Sequence, residues 1–239
     1  QRSIRAYEVK YYTKISLYDW LTQTKSEFKL WLASKDRDLL EAWLILCQYQ
    51  YPDLNTEEVK AELKQLTSEI VISLKGQETP MDKVLQINRV FFSKHKFKGN
   101  LRNFHAPENS FLSDVFKTKK GNPLSLCMLY ILIGKKCGIN FQGVNLPKHF
   151  VIGYENQEVG NADTIEFYIN PFSQGTIITR QDIEKFLKKE NMELKTKYFT
   201  PCGNKEIVIR LVNNLLHAYI KLGRKEKAEE MVEFLQLLK

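Results

Sequence analysis

The apolar residues between Ser16 and about Lys94 recur with helical period, and the breaks between them carry helix-start signals. Leu39, Leu40, Trp43, Leu44 and Cys47 fall at i, i+3/i+4 spacing and line one helical face. Asn55 ahead of Thr56, Glu57 and Glu58 supplies a cap and first-turn acids. Thr79, Pro80 and Asp82 supply a cap, a preset φ and an acid three residues on. Four helices are predicted here, over about residues 16–33, 37–50, 55–74 and 80–94. A loop rich in Asn, His and Pro, "GNLRNFHAPENS" (99–110), leads to a short helix ending near Thr118. In "KKGNPLSLCMLYILIGKKCG" (119–138), Gly121 then permits a tight turn, Asn122 is a strong N-cap and Pro123 suits a first helical position.

The period then changes. "FQGVNL" (141–146), "HFVIGY" (149–154), "IEFYIN" (165–170) and "GTIIT" (175–179) are short β-branched or aromatic runs split by Gly, Pro and Asn, the pattern of a small antiparallel sheet. Thr179 with Asp182 caps a further helix to about Lys189. In the closing "EIVIRLVNNLLHAYIKLGRKEKAEEMVEFLQLL", Leu215, Tyr219, Gly223 and Ala228 stand at the spacings of the tetratricopeptide consensus: large residues interlock two helices, Gly permits the turn, Ala allows close approach. One repeat cannot bury its own apolar face, so it is expected to dock on the main domain or to continue in further residues. The fold class is α+β, with expected segments at 1–95 (helical), 96–195 (core with the sheet) and 196–239 (closing helices).

Composition narrows the function classes. With 239 residues and 43% hydrophobic content the chain can bury one good-sized core. The net charge of +8 invites a nucleic-acid reading, but neither basic cluster, "KHKFKGNLR" (94–102) or Lys117, Lys119 and Lys120, comes with an RNA-binding signature. Nucleic acid is therefore not expected; solvated loops and helix ends are the first reading of these clusters and an acidic partner the second. Cys47, Cys127, Cys137 and Cys202 form no C-x-x-C pair, and with His95, His105, His149 and His217 they show no metal-ligand spacing; no metal and no cofactor are expected. No run approaches the ~20 apolar residues that span a bilayer, and no basic-then-apolar leader is read; a soluble protein of the reducing cytoplasm is the expectation.

The start of the proline helix has the form in which cysteine nucleophiles are often held, because a helix N-terminus stabilises thiolate. Here the residue is Pro123. The chain resembles the transglutaminase-like superfamily, whose members carry Gly-x-Cys opening a helix, His opening a strand and Asp just after another strand. Those positions fall on Gly121-Asn122-Pro123, on His149 in "KHFVIGY" and on Asn170 in "YINPF", so only the histidine of the triad is kept. A closer resemblance is to the SirB-one branch, bacterial proteins with a helical N-terminal part, a transglutaminase-like core and tetratricopeptide helices. It rests on "FKGN" (97–100), "APENSFLSDV" (106–115), "GNPLSLCMLY" (121–130), "GVNLPKHFVI" (143–152) and "INPFSQG" (169–175). Proline at the helix start is usual in that branch, whose members are described as regulators or as uncharacterised rather than as demonstrated enzymes. Asn170 departs from the Asp usual there.

Pro123 offers no nucleophile, Ser125 points away from its face, and Cys127 lies one turn (~6 Å) deeper within an apolar run. Asn170 can hydrogen-bond His149 but cannot stabilise an imidazolium by charge. The resemblance and these losses imply a non-catalytic protein- or peptide-binding module, with a cleft at Asn122, Pro123, His149 and Asn170 and accessory contacts at Lys117, Lys119 and Lys120. The alternative is an amide hydrolase or acyltransferase using Cys127 or Ser125 with His149. A third reading is an adaptor working through its helices and basic patches alone. If the superposition is right, His149 and Asn170 lie on neighbouring strands and face the N-terminus of the Pro123 helix.

Overall fold

The computed structural model describes residues 19–76, 78–155 and 165–239. The first predicted helix is helical over 19–33 (α1), its start at 16–18 lying outside the described residues. There follow α2 (Leu39–Gln50), α3 (Thr56–Ser73) and α4 (Pro80–Asn88), which runs into a π-helical turn at Arg89–Lys94. The caps are the expected ones. Asn55 Oδ1 accepts the Glu57 N–H at 3.1 Å, and Thr79 exchanges bonds with Asp82 in a capping box. Asp38, at the start of α2, accepts from Leu40 and Glu41.

After α4 the chain forms β1 (Lys98–Gly99), a 3-10 turn (Pro107–Ser110), α5 (Leu112–Thr118), β2 (Lys120–Gly121) and α6 (Pro123–Lys136). β1 and β2 pair in parallel, Gly99 opposite Gly121, and so join the loop before α5 to the turn that launches α6. The sheet is an antiparallel meander of β3 (Phe141–Leu146), β4 (His149–Glu155), β5 (Ile165–Asn170) and β6 (Thr176–Ile178). Its register places Val144 opposite Val151, Ile152 opposite Ile169 and Ile169 opposite Ile177. Then come α7 (Arg180–Lys189), α8 (Asn204–Lys221) and α9 (Lys225–Leu237).

Alternation along the strands gives the sheet two buried faces. Phe141, Phe150, Ile152 and Ile169 belong to the main core, which includes Leu126, Cys127 and Tyr130 of α6. Val144, Leu146, Val151 and Tyr168 belong to a second cluster with Ile183 and Leu187 of α7. α6 is apolar nearly all round, as a helix buried between sheet and helices must be.

The main core takes side chains from all three sequence segments. Phe28 of α1 and Tyr49 of α2 both meet the Phe234 ring of α9 edge-on, at centroid distances of 5.3 Å. Tyr219 Oη donates to Gln50 Oε1 at 2.8 Å. The closing helical hairpin, turned at Gly223 with φ +69°, thus docks on the N-terminal helices. Phe97, from the first basic cluster, is buried and stacks on Phe91 at 4.2 Å, so the cluster is anchored to the core by its aromatic residue.

Candidate functional site

The side chains that cap the start of α6 are matched. Asn122 Oδ1 accepts the Ser125 N–H (2.9 Å), Ser125 Oγ accepts the Asn122 N–H (3.0 Å), and Asn122 Nδ2 donates to Ser110 Oγ (2.9 Å). Pro123 sits at the first helical position, where a missing N–H costs nothing. Gly121 is required by packing, since a Cβ there would stand 2.5 Å from Ser125 Oγ.

Beside this helix start lies a cavity of about 710 Å³. Its walls are Asn122, Pro123 and Leu124 of α6, the 104–106 loop, Lys148 and His149 at the β3–β4 turn, and one face of α8. A smaller cavity of about 330 Å³ lies under α7, lined by Asn170, Val151, Ile183 and Phe186 among others. His149 lines both.

His149 and Asn170 stand on neighbouring strands. By alternation they share the face of Val151 and Tyr168, toward α7, while α6 packs on the opposite face. His149, at the first position of β4, reaches the large cavity beside Pro123, but Asn170 does not face the start of α6 as expected: strand alternation turns it toward α7, and it lines only the smaller cavity. Burial lowers the pKa of His149 below its ordinary value, a hydrogen bond of the ring to the Asn170 side chain opposes this, and the positive Arg210 adds to the lowering. The Asn170 amide is otherwise engaged with Ser173, accepting its N–H at 3.3 Å and donating to its hydroxyl at 3.2 Å.

The two candidate nucleophiles are fully buried. Ser125 Oγ is held in the capping box. Cys127 Sγ donates to the Phe150 carbonyl at 3.4 Å, and burial raises its pKa well above the ordinary thiol value. Cys47, Cys137 and Cys202 are buried as well, their thiols pushed up to about 12, 11 and 12. Lys117, Lys119 and Lys120 lie outside the cavity lining, and Lys119 covers the Phe97 ring at 4.8 Å. Of the candidate binding residues, Asn122 and His149 meet at the large cavity.

Sequence reasoning missed the α8 wall. Arg210, Asn213, Asn214, His217 and Lys221 recur at i, i+3, i+4, i+7 and i+11, a polar stripe along an otherwise apolar helix, and all five line the cavity. That stripe was the available signal. Arg210 Nη1 donates to Asn145 Oδ1 (2.8 Å) and to the Leu146 carbonyl (3.1 Å), which fixes the guanidinium against β3; burial lowers its pKa. Among the described residues no cluster of His, Cys, Asp or Glu could hold a metal ion, and no helix is long and apolar enough to cross a membrane.

The sequence model of the family described as "Transglutaminase-like superfamily" matches residues 57–213. A "UPF0162 protein" of Xylella fastidiosa (strain 9a5c) is 26% identical over 201 residues, covering 80% of this chain and 68% of that protein. A "UPF0162 protein" of Vibrio cholerae is 24% identical over 190 residues, covering 78% and 68%. "F-box only protein 21" of Mus musculus is 25% identical over 255 residues, covering 95% of this chain but 39% of its own length. No solved structure matches.

Proposed function

This chain belongs to the transglutaminase-like superfamily, and from that premise we propose that it is a non-catalytic, peptide- or protein-binding member, of the SirB-one type and closed by a tetratricopeptide-like hairpin. The observation that carries this reading is the start of α6, where Pro123 stands at the position a nucleophile would take and the two nearest nucleophiles are spent elsewhere. Ser125 caps its own helix, and Cys127 is sealed in the core. What the fold retains is a cleft: a cavity of about 710 Å³, within the size range of ligand sites, lined by polar side chains and apolar walls. A cleft that keeps its shape after losing its reactive atom is suited to holding an extended segment of a partner. Lys117, Lys119 and Lys120, beside but outside the cleft, are proposed as accessory contacts to an acidic partner.

The test is a thiol-reactive probe on the native protein. Slow labelling that tracks unfolding is expected, because every cysteine is buried. Rapid stoichiometric labelling at Cys127, abolished by His149→Ala, overturns the proposal in favour of a cysteine-dependent acyl-transfer enzyme.

A further inference from the structure

Among the described residues the large cavity presents cations and no acid. Arg210, Lys148 and Lys221 line it together with His105, His149 and His217, while no described Asp or Glu does. Lys148 is neutralised by Glu190 at 2.8 Å; Arg210 and Lys221 have no ion pair among the described residues. Arg210 is the informative group. Its two recorded bonds both leave from Nη1, so the guanidinium plane is fixed while the edge formed by Nε and Nη2 has no partner among the described residues. That edge carries two parallel N–H donors, the geometry that receives a carboxylate or phosphate oxygen pair. Arg210 is half-buried at the cavity wall and has no counter-charge among the described residues, so an anion in the cavity would complete it.

The surroundings favour a carboxylate on a peptide over a phosphate. Leu124, Phe150 and Ala218 form an apolar wall next to the anchored fork, a surface that packs against peptide side chains and gives a phosphate nothing. Asn213 spends its Nδ2 on the Ile209 carbonyl at 2.8 Å and keeps its oxygen; the Asn214 amide has no partner among the described residues. Two side-chain amides flanking an arginine suit a peptide backbone leading to its acid. We propose that the cavity binds a peptide through a carboxylate seated on the open edge of Arg210. This inference rests on the peptide-binding reading above.

The experiment presents the protein with three sets of immobilised short peptides: internal Asp or Glu with amidated C-termini, no acid with free C-termini, and neither. The expected result is retention on the first or second set, whichever supplies the carboxylate, at least about tenfold above the third. Arg210→Lys, which keeps charge and loses the fork, is expected to lower that retention about tenfold. Because Arg210 also braces β3, thermal unfolding is recorded for each variant. Asn214→Ala, which removes no recorded bond, gives a second readout, with several-fold weaker retention expected. Equal binding to all three sets overturns the carboxylate inference and leaves peptide binding standing. No binding by the native protein to any set overturns both. Displacement of acidic peptides by inorganic phosphate at lower concentration than by acetate assigns the edge to phosphate and overturns the inference.

Discussion

Asn122 and Ser125 close each other's backbone: the asparagine oxygen takes the Ser125 N–H and the serine oxygen takes the Asn122 N–H, both inside the protein. Ser125→Ala leaves the buried Asn122 N–H only its long bond to the Asn109 carbonyl at 3.5 Å. A loss of about 1–2 kcal/mol is expected in urea unfolding. Peptide retention by the folded protein should be unchanged, because Ser125 does not line the cavity. A serine with a catalytic role would give the opposite pattern, with activity lost and stability kept.

Asn122 is local to the helix start it caps, and for that reason its role was legible in the sequence; the return bond from Ser125, read there only as a candidate nucleophile, was not. Asn55, Thr79 and Thr179 were equally local and act as the expected caps. β3 and β5 fall at the expected bounds, because Gly, Asn and Pro mark their ends. The π-helical turn at Arg89–Lys94 reads in sequence as plain helix, since a shift from i+4 to i+5 bonding leaves the apolar period nearly intact. The pairing of β1 with β2 is too short to carry a pattern. The cavity was missed for a different reason. Its walls come from α6, α8, the β3–β4 turn and the 104–106 loop, and only the packing of α8 on the N-terminal helices turns the Arg210 stripe inward.

The nucleophile position can be tested by refilling it. Pro123→Cys with Asn170→Asp places a thiol at the start of α6, beside the cavity that His149 also lines, and a charge behind the histidine. The double variant is expected to fold, since Asn122 still caps the helix. Its new thiol is expected to titrate below the ~8.5 of a free cysteine. Alkylation rate against pH measures this, with His149→Ala added as control. An ordinary thiol profile in both backgrounds would show that the residue at 123 and His149 do not communicate.

His149 gives the stability a pH dependence whose sign is fixed by burial. Its folded pKa lies below the ordinary 6.5, so on acidification the unfolded chain takes up the proton first. The stability from this residue is therefore complete above about pH 6.5 and declines as pH falls from there through the folded value. His149→Gln should flatten that part of the profile. Urea midpoints of both proteins between about pH 5 and 8 provide the comparison. A steeper decline in the variant would contradict the assignment.

Gly175 and Gly138 offer a matched pair. Both have positive φ, +72° and +66°, so alanine strains either backbone by about 1–2 kcal/mol. At Gly138 nothing lies within 4 Å of an added Cβ; at Gly175 it would stand 1.9 Å from Asn88 Oδ1. That asparagine donates to the Gly175 carbonyl (3.0 Å) and accepts from Tyr130 Oη (2.8 Å). Gly175→Ala should therefore cost about 1–3 kcal/mol more than Gly138→Ala, the worth of the bonds displaced. Equal losses in urea unfolding would show that Asn88 yields without cost.

The meeting of Phe28 and Tyr49 with Phe234 bears on how the chain is made. A ribosome adds roughly 5–20 residues each second, so the apolar side of α1 and α2 waits on the order of ten seconds or more for its covering helix to be synthesised. Local helices can form in that interval, but their shared surface has no lid. Nascent chains arrested before α9 should therefore bind general chaperones and be cleaved readily by proteases, and both properties should disappear together once the Phe234 segment clears the exit tunnel.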